Sequence, residues 1–452
     1  MIEILRTIDL KSEVKSLIVA KKNDDLKFKE LDDLLKGGLS LVDKKSVVWT
    51  LSLINSPKVH LYLNEKRDLE EIAKLEGDFV VLVDSFAKEK DAKQVAYELA
   101  LNISSLDDEL TLKTDAKEKN RNFYFYSKED IKEAVNEGII VGQSVSLTKR
   151  LVNLPPNYLS APKFAEIALE KLKGLRNVSI RILGKKEIEE LNMGAFLAVN
   201  KGSYEEPKLI EIKYQGLEHD DDYMCFVGKG LVFDTGGYSL KTRMNNMKSD
   251  MAGGASVLGA ALATAKLNLK VNALFLIGAT DNRLGEYAIV PDDVITSMSG
   301  KTIEITSSDA EGRLVLVDVI TYAQKLGAKK IIDIATLTGA IIQALGSHYT
   351  GAYTNDDKFY EGFKEVTNKT KEKIWLMPLD ECYFDNIKSK IADMKNSGGR
   401  SGTASSAALF ISKFIEPETK WIHLDIAGTS FIDECATAVM VKTFVEYLRS
   451  IE

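Results

Sequence analysis

Short apolar runs alternate with charged amphipathic stretches along this chain, and their spacing assigns most elements. Val47–Leu51, Val59–Leu63 and Phe79–Val83 read as strands, and Glu65–Lys74 and Lys88–Leu101 as helices. The charge-dense stretch Lys113–Arg121 is a joint before a strand at Asn122–Tyr126. Ser127 followed by Asp130 resembles a helix start, and the apolar period runs through Ile131, Val135, Ile139 and Val145 to about Leu151. Asn153-Leu154-Pro155-Pro156-Asn157 then breaks it.

From there strands and helices alternate. Strands are expected at Val178–Leu183, Lys208–Tyr214, Tyr223–Val227, Val271–Ile277, Lys330–Ile334 and Trp421–Ile426. Helices are expected at Pro162–Leu172, Gly254–Ala265, Leu314–Leu326, Ser405–Phe414 and Ala436–Leu448. Several strands are apolar on both faces, as in Ala273-Leu274-Phe275-Leu276-Ile277, which places them in a sheet covered by helices on two sides. The fold class is α/β, with two domains, each a helix-covered sheet, joined by a long helix: an N-terminal module at 1–126, a linking helix at 127–152 and a C-terminal α/β domain at 153–452.

A length of 452 residues accommodates two cores. Hydrophobic residues at 45% and charged residues at 28% are ordinary for a globular chain. The net charge of −7 gives no global attraction to nucleic acid. No apolar run reaches membrane-spanning length, and Met1–Asp9 lacks the layout of a secretory signal. Cys225, Cys382 and Cys435 have no metal or redox spacing, which points to a reducing compartment and a cytoplasmic address.

The chemistry is concentrated in Gly228-Lys229-Gly230-Leu231-Val232-Phe233-Asp234 and Ser308-Asp309-Ala310-Glu311-Gly312-Arg313, with Lys241 and Asp250 between them. Four carboxylates and two lysines, without histidine or cysteine, suit hard or borderline divalent ions such as Mn, Mg and Zn. The carboxylates outnumber what one ion needs, so two metals sharing the site is the natural reading. Asp234 and Thr336 also follow strands, where ligands of α/β sheets gather.

At these residues the chain resembles the leucyl aminopeptidase (cytosol aminopeptidase) family of dinuclear metallo-exopeptidases. The resemblance runs from Leu151–Asn157 through Val227–Asp250, Asp309–Leu314, Asp333–Ala340 and Asn396–Arg400 to His423–Gly428; the N-terminal module matches only in general character. It implies that Lys229, Asp234, Asp250, Asp309 and Glu311 are metal ligands. Asp234 and Glu311 would bridge both ions, Asp250 and Lys229 would hold the tighter one, and Asp309 the more exchangeable one. Lys241 and Arg313 match the two catalytic cations. Met247, Thr336, Leu337 and Gly339 align with residues that line the pocket for the first side chain or contact the substrate backbone. The implied activity is release of N-terminal residues, leucine or other apolar ones preferred, from short peptides through attack by a metal-bridging water. Two Mn or Zn ions per subunit, a bicarbonate at Arg313 and a homohexamer are implied too.

Lysine ligates a metal only as the free amine, and a neighbouring dication lowers its pKa. Arg313 stays charged, so its part is to hold an anion rather than act as a base. Three departures from the family bear on side-chain specificity. The Lys241–Asp250 segment is about two residues short, Ser307-Ser308 stands where asparagine-threonine is typical, and Cys435-Ala436-Thr437-Ala438 lacks the usual glycine motif.

Blander readings exist for each motif alone. Gly228-Lys229-Gly230 resembles a turn, Asp309-Ala310-Glu311 a helix start with acid in its first turn, and Asp250 a helix cap. Their joint order favours the metal reading. His60, His219, His348 and His423 are scattered, which argues against a catalytic histidine. DNA binding by the N-terminal module, a ligand-defective scaffold and a cysteinylglycine dipeptidase preference are the rival functions.

Overall fold

The computed structural model describes residues 2–5, 17–21, 48–49, 59–62, 77–87, 91–106, 111–114, 121–218, 222–399 and 401–452. The expected helix Glu65–Lys74 lies outside them. The chain divides into two compact units, Met1–Ser146 and Leu147–Glu452. That division falls within the helix Lys132–Asn153, so the three-part scheme with a separate linking helix stays a proposal.

In the first unit six strands are ordered Ile2–Leu5, Arg121–Tyr126, Gly77–Leu82, Leu17–Lys21, Val59–Tyr62 and Val48–Trp49. All neighbours are parallel except the last pair. Phe123 and Phe125 are buried against the helix Ala92–Ser104 and its surroundings, so the aromatic run Tyr124-Phe125-Tyr126 alternates into a core.

The second unit is built on eight strands. Their order is Ile374–Leu376, Thr350–Thr354, Lys420–Asp425, Lys330–Ala335, Met224–Asp234, Asn272–Asn282, Lys208–Gln215 and Val178–Leu183. The central four run parallel. Antiparallel pairings join Thr350–Thr354 to Lys420–Asp425 and add the last two strands at the other edge. Asn272–Asn282 is buried along its whole length, as expected for a strand covered on both faces. Among the described residues no helix is long and apolar enough to cross a membrane.

Two expected boundaries move for identifiable reasons. The strand expected to end at Val227 continues to Asp234, so Gly228-Lys229-Gly230 is strand and not turn. Glycine reads as a breaker in sequence, but here its missing side chain serves packing. A Cβ on Gly228 would lie 2.6 Å from Gly254 Cα, and one on Gly253 2.1 Å from the Ile334 carbonyl oxygen. The helix Ala252–Leu267 therefore rests almost backbone to backbone on the sheet.

The closing helix starts at Val441, not Ala436. Cys435–Ala436 pairs with Phe431–Ile432, and Ala438 and Met440 take φ of 56° and 71°, which no right-handed helix accepts. Cys225 is buried, whereas Cys382 and Cys435 are exposed.

Candidate active site

The central strands deliver polar groups at their carboxyl ends. Asp425, Asp234 and Asn282 each terminate a strand, and Thr336 follows Ala335 directly. In register, Ala335 faces Asp425 and Asp234 faces Asn282. This is the edge of a parallel sheet where ligands collect.

Lys229 comes from within its strand and is almost fully buried. Its Nζ donates to Asp250 Oδ1 at 2.8 Å and to the Thr336 carbonyl at 2.9 Å, and lies 3.1 Å from Glu311 Oε1. The close-packed helix brings Asp250 there, because the turn Met247–Met251 leads directly into Ala252. Glu311 stands just ahead of the helix Gly312–Lys325, and a Cβ on Gly312 would lie 2.6 Å from Lys229 Cε. Lys241 Nζ sits 2.7 Å from Asp234 Oδ2 and 2.5 Å from Asp309 Oδ1. Ligand atoms of Asp234, Asp250 and Glu311 all fall within 4.8 Å of one another, and Asp309 joins them through Lys241.

Four carboxylates thus face two ammonium groups. Asp250 Oδ2 and Glu311 Oε2 are buried and have no hydrogen-bond partner among the described residues. An unpartnered buried acceptor is costly, and two of them beside concentrated negative charge call for a cation. The donor set fits divalent ions held by oxygen with one amine.

The electrostatics agree. Burial raises the Asp250 carboxyl above its usual range; Lys229 pulls it down, while Glu311 and Asp234 push it further up. Asp309 is raised to about 6 by burial and by Glu311, against Lys241. For Lys229 burial opposes the charge, but Asp250, Glu311 and Asp234 outweigh it and hold the ammonium above its ordinary pKa. Lys241 is raised by the same balance, chiefly through Asp234 and Glu311. The Lys229 ammonium thus occupies the part of a cation here; a dication among the same oxygens reverses that balance and favours the amine.

Arg313 is buried, its Nη1 donates to the Asn396 carbonyl at 2.7 Å, and its Nε has no partner among the described residues. Burial pushes its pKa down to about 10, against Glu311 and Asp425, so it remains a guanidinium at neutral pH. A free, buried donor edge on a cation fits a small oxyanion such as bicarbonate. Thr336 enters the cluster fully: besides accepting from Lys229, its hydroxyl donates to Asp250 Oδ1 at 2.8 Å. Leu337 and Gly339 continue that turn, and half-buried Met247 opens the Asp250 turn. Arg400 lies outside the described residues.

The cap readings fail on geometry. The helix from Ala252 has no side-chain cap bond, and Glu311 stands at the N-cap position of the helix Gly312–Lys325 but makes no side-chain cap bond. Three supporting residues have no role assigned from sequence alone, although Ser308 lies in the motif Ser308–Arg313. Asn282 Nδ2 donates to Asp234 Oδ1 at 2.8 Å and to the Ser308 carbonyl at 3.0 Å, tying the two motifs together. Ser308 Oγ donates to the Gly236 carbonyl and accepts from the Ser239 amide, both at 2.7 Å. Asn396 holds Arg313 through its carbonyl and accepts the Thr306 amide with its side chain. Its place in Asn396-Ser397-Gly398-Gly399 was the one available signal.

Compared with known families, residues 146–445 match the cytosol aminopeptidase family, catalytic domain. The chain belongs to that metal-dependent family and is a hydrolase of the aminopeptidase type.

Proposed function

We propose that this family member releases N-terminal residues from short peptides, leucine and other apolar residues preferred, with two divalent ions, Mn or Zn, held by Lys229, Asp234, Asp250, Asp309 and Glu311. The observation that carries this reading is the pair of unpartnered buried oxygens, Asp250 Oδ2 and Glu311 Oε2, in a cluster where a lysine ammonium serves as cation. Bound ions would supply Lewis acidity toward the scissile carbonyl and an activated water. Buried Asp234 and Glu311 would hold the ions from the centre of the cluster, and Asp309, the more exposed carboxylate, would hold them from its rim.

The chain's own groups do the rest. Lys241, partly open to solvent and held between Asp234 and Asp309, presents a fixed positive charge to the oxygen on which negative charge develops. Arg313 offers its free Nε edge to an anion, bicarbonate by resemblance, which can take the proton that the guanidinium itself cannot accept. The Thr336–Gly339 turn and Met247 flank the space for the first side chain. A cytoplasmic address and a homohexamer complete the proposal.

Dialysis against a chelator, followed by assay on leucyl-amidomethylcoumarin, tests it. Activity is expected to vanish and to return with Mn or Zn; indifference to chelation would overturn the metal reading.

A further inference from the structure

Thr336 touches both Lys229 and Asp250, yet it sits on a turn between a strand and a short helix, where backbone torsions are not set by a ladder. Asp425 sets them. It ends the strand Lys420–Asp425 beside Ala335, and is 1% exposed. Its Oδ1 accepts the Leu337 amide at 3.1 Å, the Ala427 amide at 3.2 Å and, at 3.5 Å, the Thr338 amide. Its Oδ2 accepts the Thr338 hydroxyl at 2.6 Å. That hydroxyl in turn accepts the Ile341 amide at 3.2 Å and caps the helix Gly339–Leu345. One buried carboxylate thus holds both residues that follow Thr336, along with the helix start beyond them.

We propose that Asp425 is a positioning residue for the metal centre: by clamping the Leu337–Thr338 backbone it fixes how Thr336 presents its carbonyl to Lys229 and its hydroxyl to Asp250. This rests on the metal reading above. Asp425 has no hydrogen bond to a candidate ligand, so it reaches the ligands through the turn; its charge also acts on Arg313, and Asp425→Asn removes that charge while keeping an oxygen for the backbone amides. Partners that orient ligands from outside the coordination sphere commonly carry about 10–100-fold in metal affinity.

The test is manganese binding to the full chain, followed by electron paramagnetic resonance of free Mn, with kcat and KM measured at limiting and saturating Mn. Asp425→Ala is expected to weaken Mn binding by about 10-fold or more, with kcat recovering at saturating Mn. Thr338→Val, which removes one arm of the clamp, is expected to weaken it several-fold, and Asp425→Asn, which keeps an oxygen for the backbone amides but not the acceptor of the Thr338 hydroxyl, to recover affinity to the Thr338→Val level. A merely structural role would lower the number of sites per chain while leaving the dissociation constant of the folded fraction unchanged. Wild-type affinity in both Asp425→Ala and Thr338→Val overturns the clamp, as does failure of Asp425→Asn to recover affinity. Should Asp425→Ala not fold, Thr338→Val decides alone. Failure of the wild-type chain to bind Mn overturns the metal reading itself, and the clamp with it.

Discussion

Glu311 gives its two oxygens different fates: Oε1 meets the Lys229 ammonium, while Oε2 has no partner among the described residues. Glu311→Ala removes a proposed ligand that makes no side-chain cap bond to the helix behind it. Turnover of leucyl-amidomethylcoumarin should fall by at least the about 100-fold that loss of outer partners can reach, with an unchanged circular dichroism spectrum; near-normal activity would refute the assignment. Protonation belongs to the same scale. Asp309 is raised to about 6 and Asp250 to about 8, burial first in each case, so both take up protons as pH falls from 8 and compete with metal. Manganese affinity should therefore drop as pH falls from 8 to 5.5. The metal-free fold should move the other way. These carboxyls bind protons at higher pH folded than unfolded, as does Asp318, raised to about 7 by burial, so ionising them on the way up in pH costs stability. For buried His423, desolvation opposes the charge but Asp333 outweighs it; its raised pKa acts in the same direction, present below the unfolded value and lost as pH rises. Chelated protein should thus melt higher at pH 5.5 than at pH 8. At this scale the carboxylates and cations that the structure gathers were legible, because chemistry-bearing residue types stand out in sequence. Asn282, Ser308 and Asn396 were not, since their hydrogen bonds span 48, 72 and 83 positions.

Among elements, the contact of the helix Ala252–Leu267 with the sheet decides the site. Only the bare Gly228, Gly253 and Gly254 let that helix approach closely enough to place Asp250 beside Lys229. Gly253→Ala would set a methyl 2.1 Å from the Ile334 carbonyl. The helix must then lift, at a cost of about 1–3 kcal/mol for overpacking, seen as a lower urea midpoint together with weaker Mn binding. A change in stability without a change in Mn affinity would separate the helix from the site. The strands and helices of strong period were legible. The extension of Met224–Val227 to Asp234 was not, because glycine carries no periodicity and resembles a turn signal. The helix Asp357–Thr370 was overlooked although Phe359, Tyr360, Phe363 and Val366 mark its buried face.

For the whole molecule, the proposed homohexamer predicts a particle of six chains by light scattering coupled to gel filtration, at concentrations where the enzyme is assayed. A monomer of full activity would overturn the hexamer. The first unit carries no cluster of ligand type among its described residues. Its rival role in DNA binding predicts a salt-dependent gel shift, for which the net charge of −7 offers no general driving force.

The order of residues along the chain determined by itself which groups this protein brings to its chemistry. Four carboxylates, two lysines and an arginine spaced among glycines and apolar strands are a local chemical fact, as is the α/β alternation. Only the tertiary structure decided that Lys229 lies within a strand, that a helix can touch the sheet there, and that Asp425 holds the turn carrying Thr336. Those outcomes depend on segments meeting across 25 to 90 positions of sequence, through contacts such as Gly228 to Gly253 and Thr338 to Asp425 and the pairing of Lys330–Ala335 with Lys420–Asp425. Steric fit between distant segments leaves no pattern along any one of them.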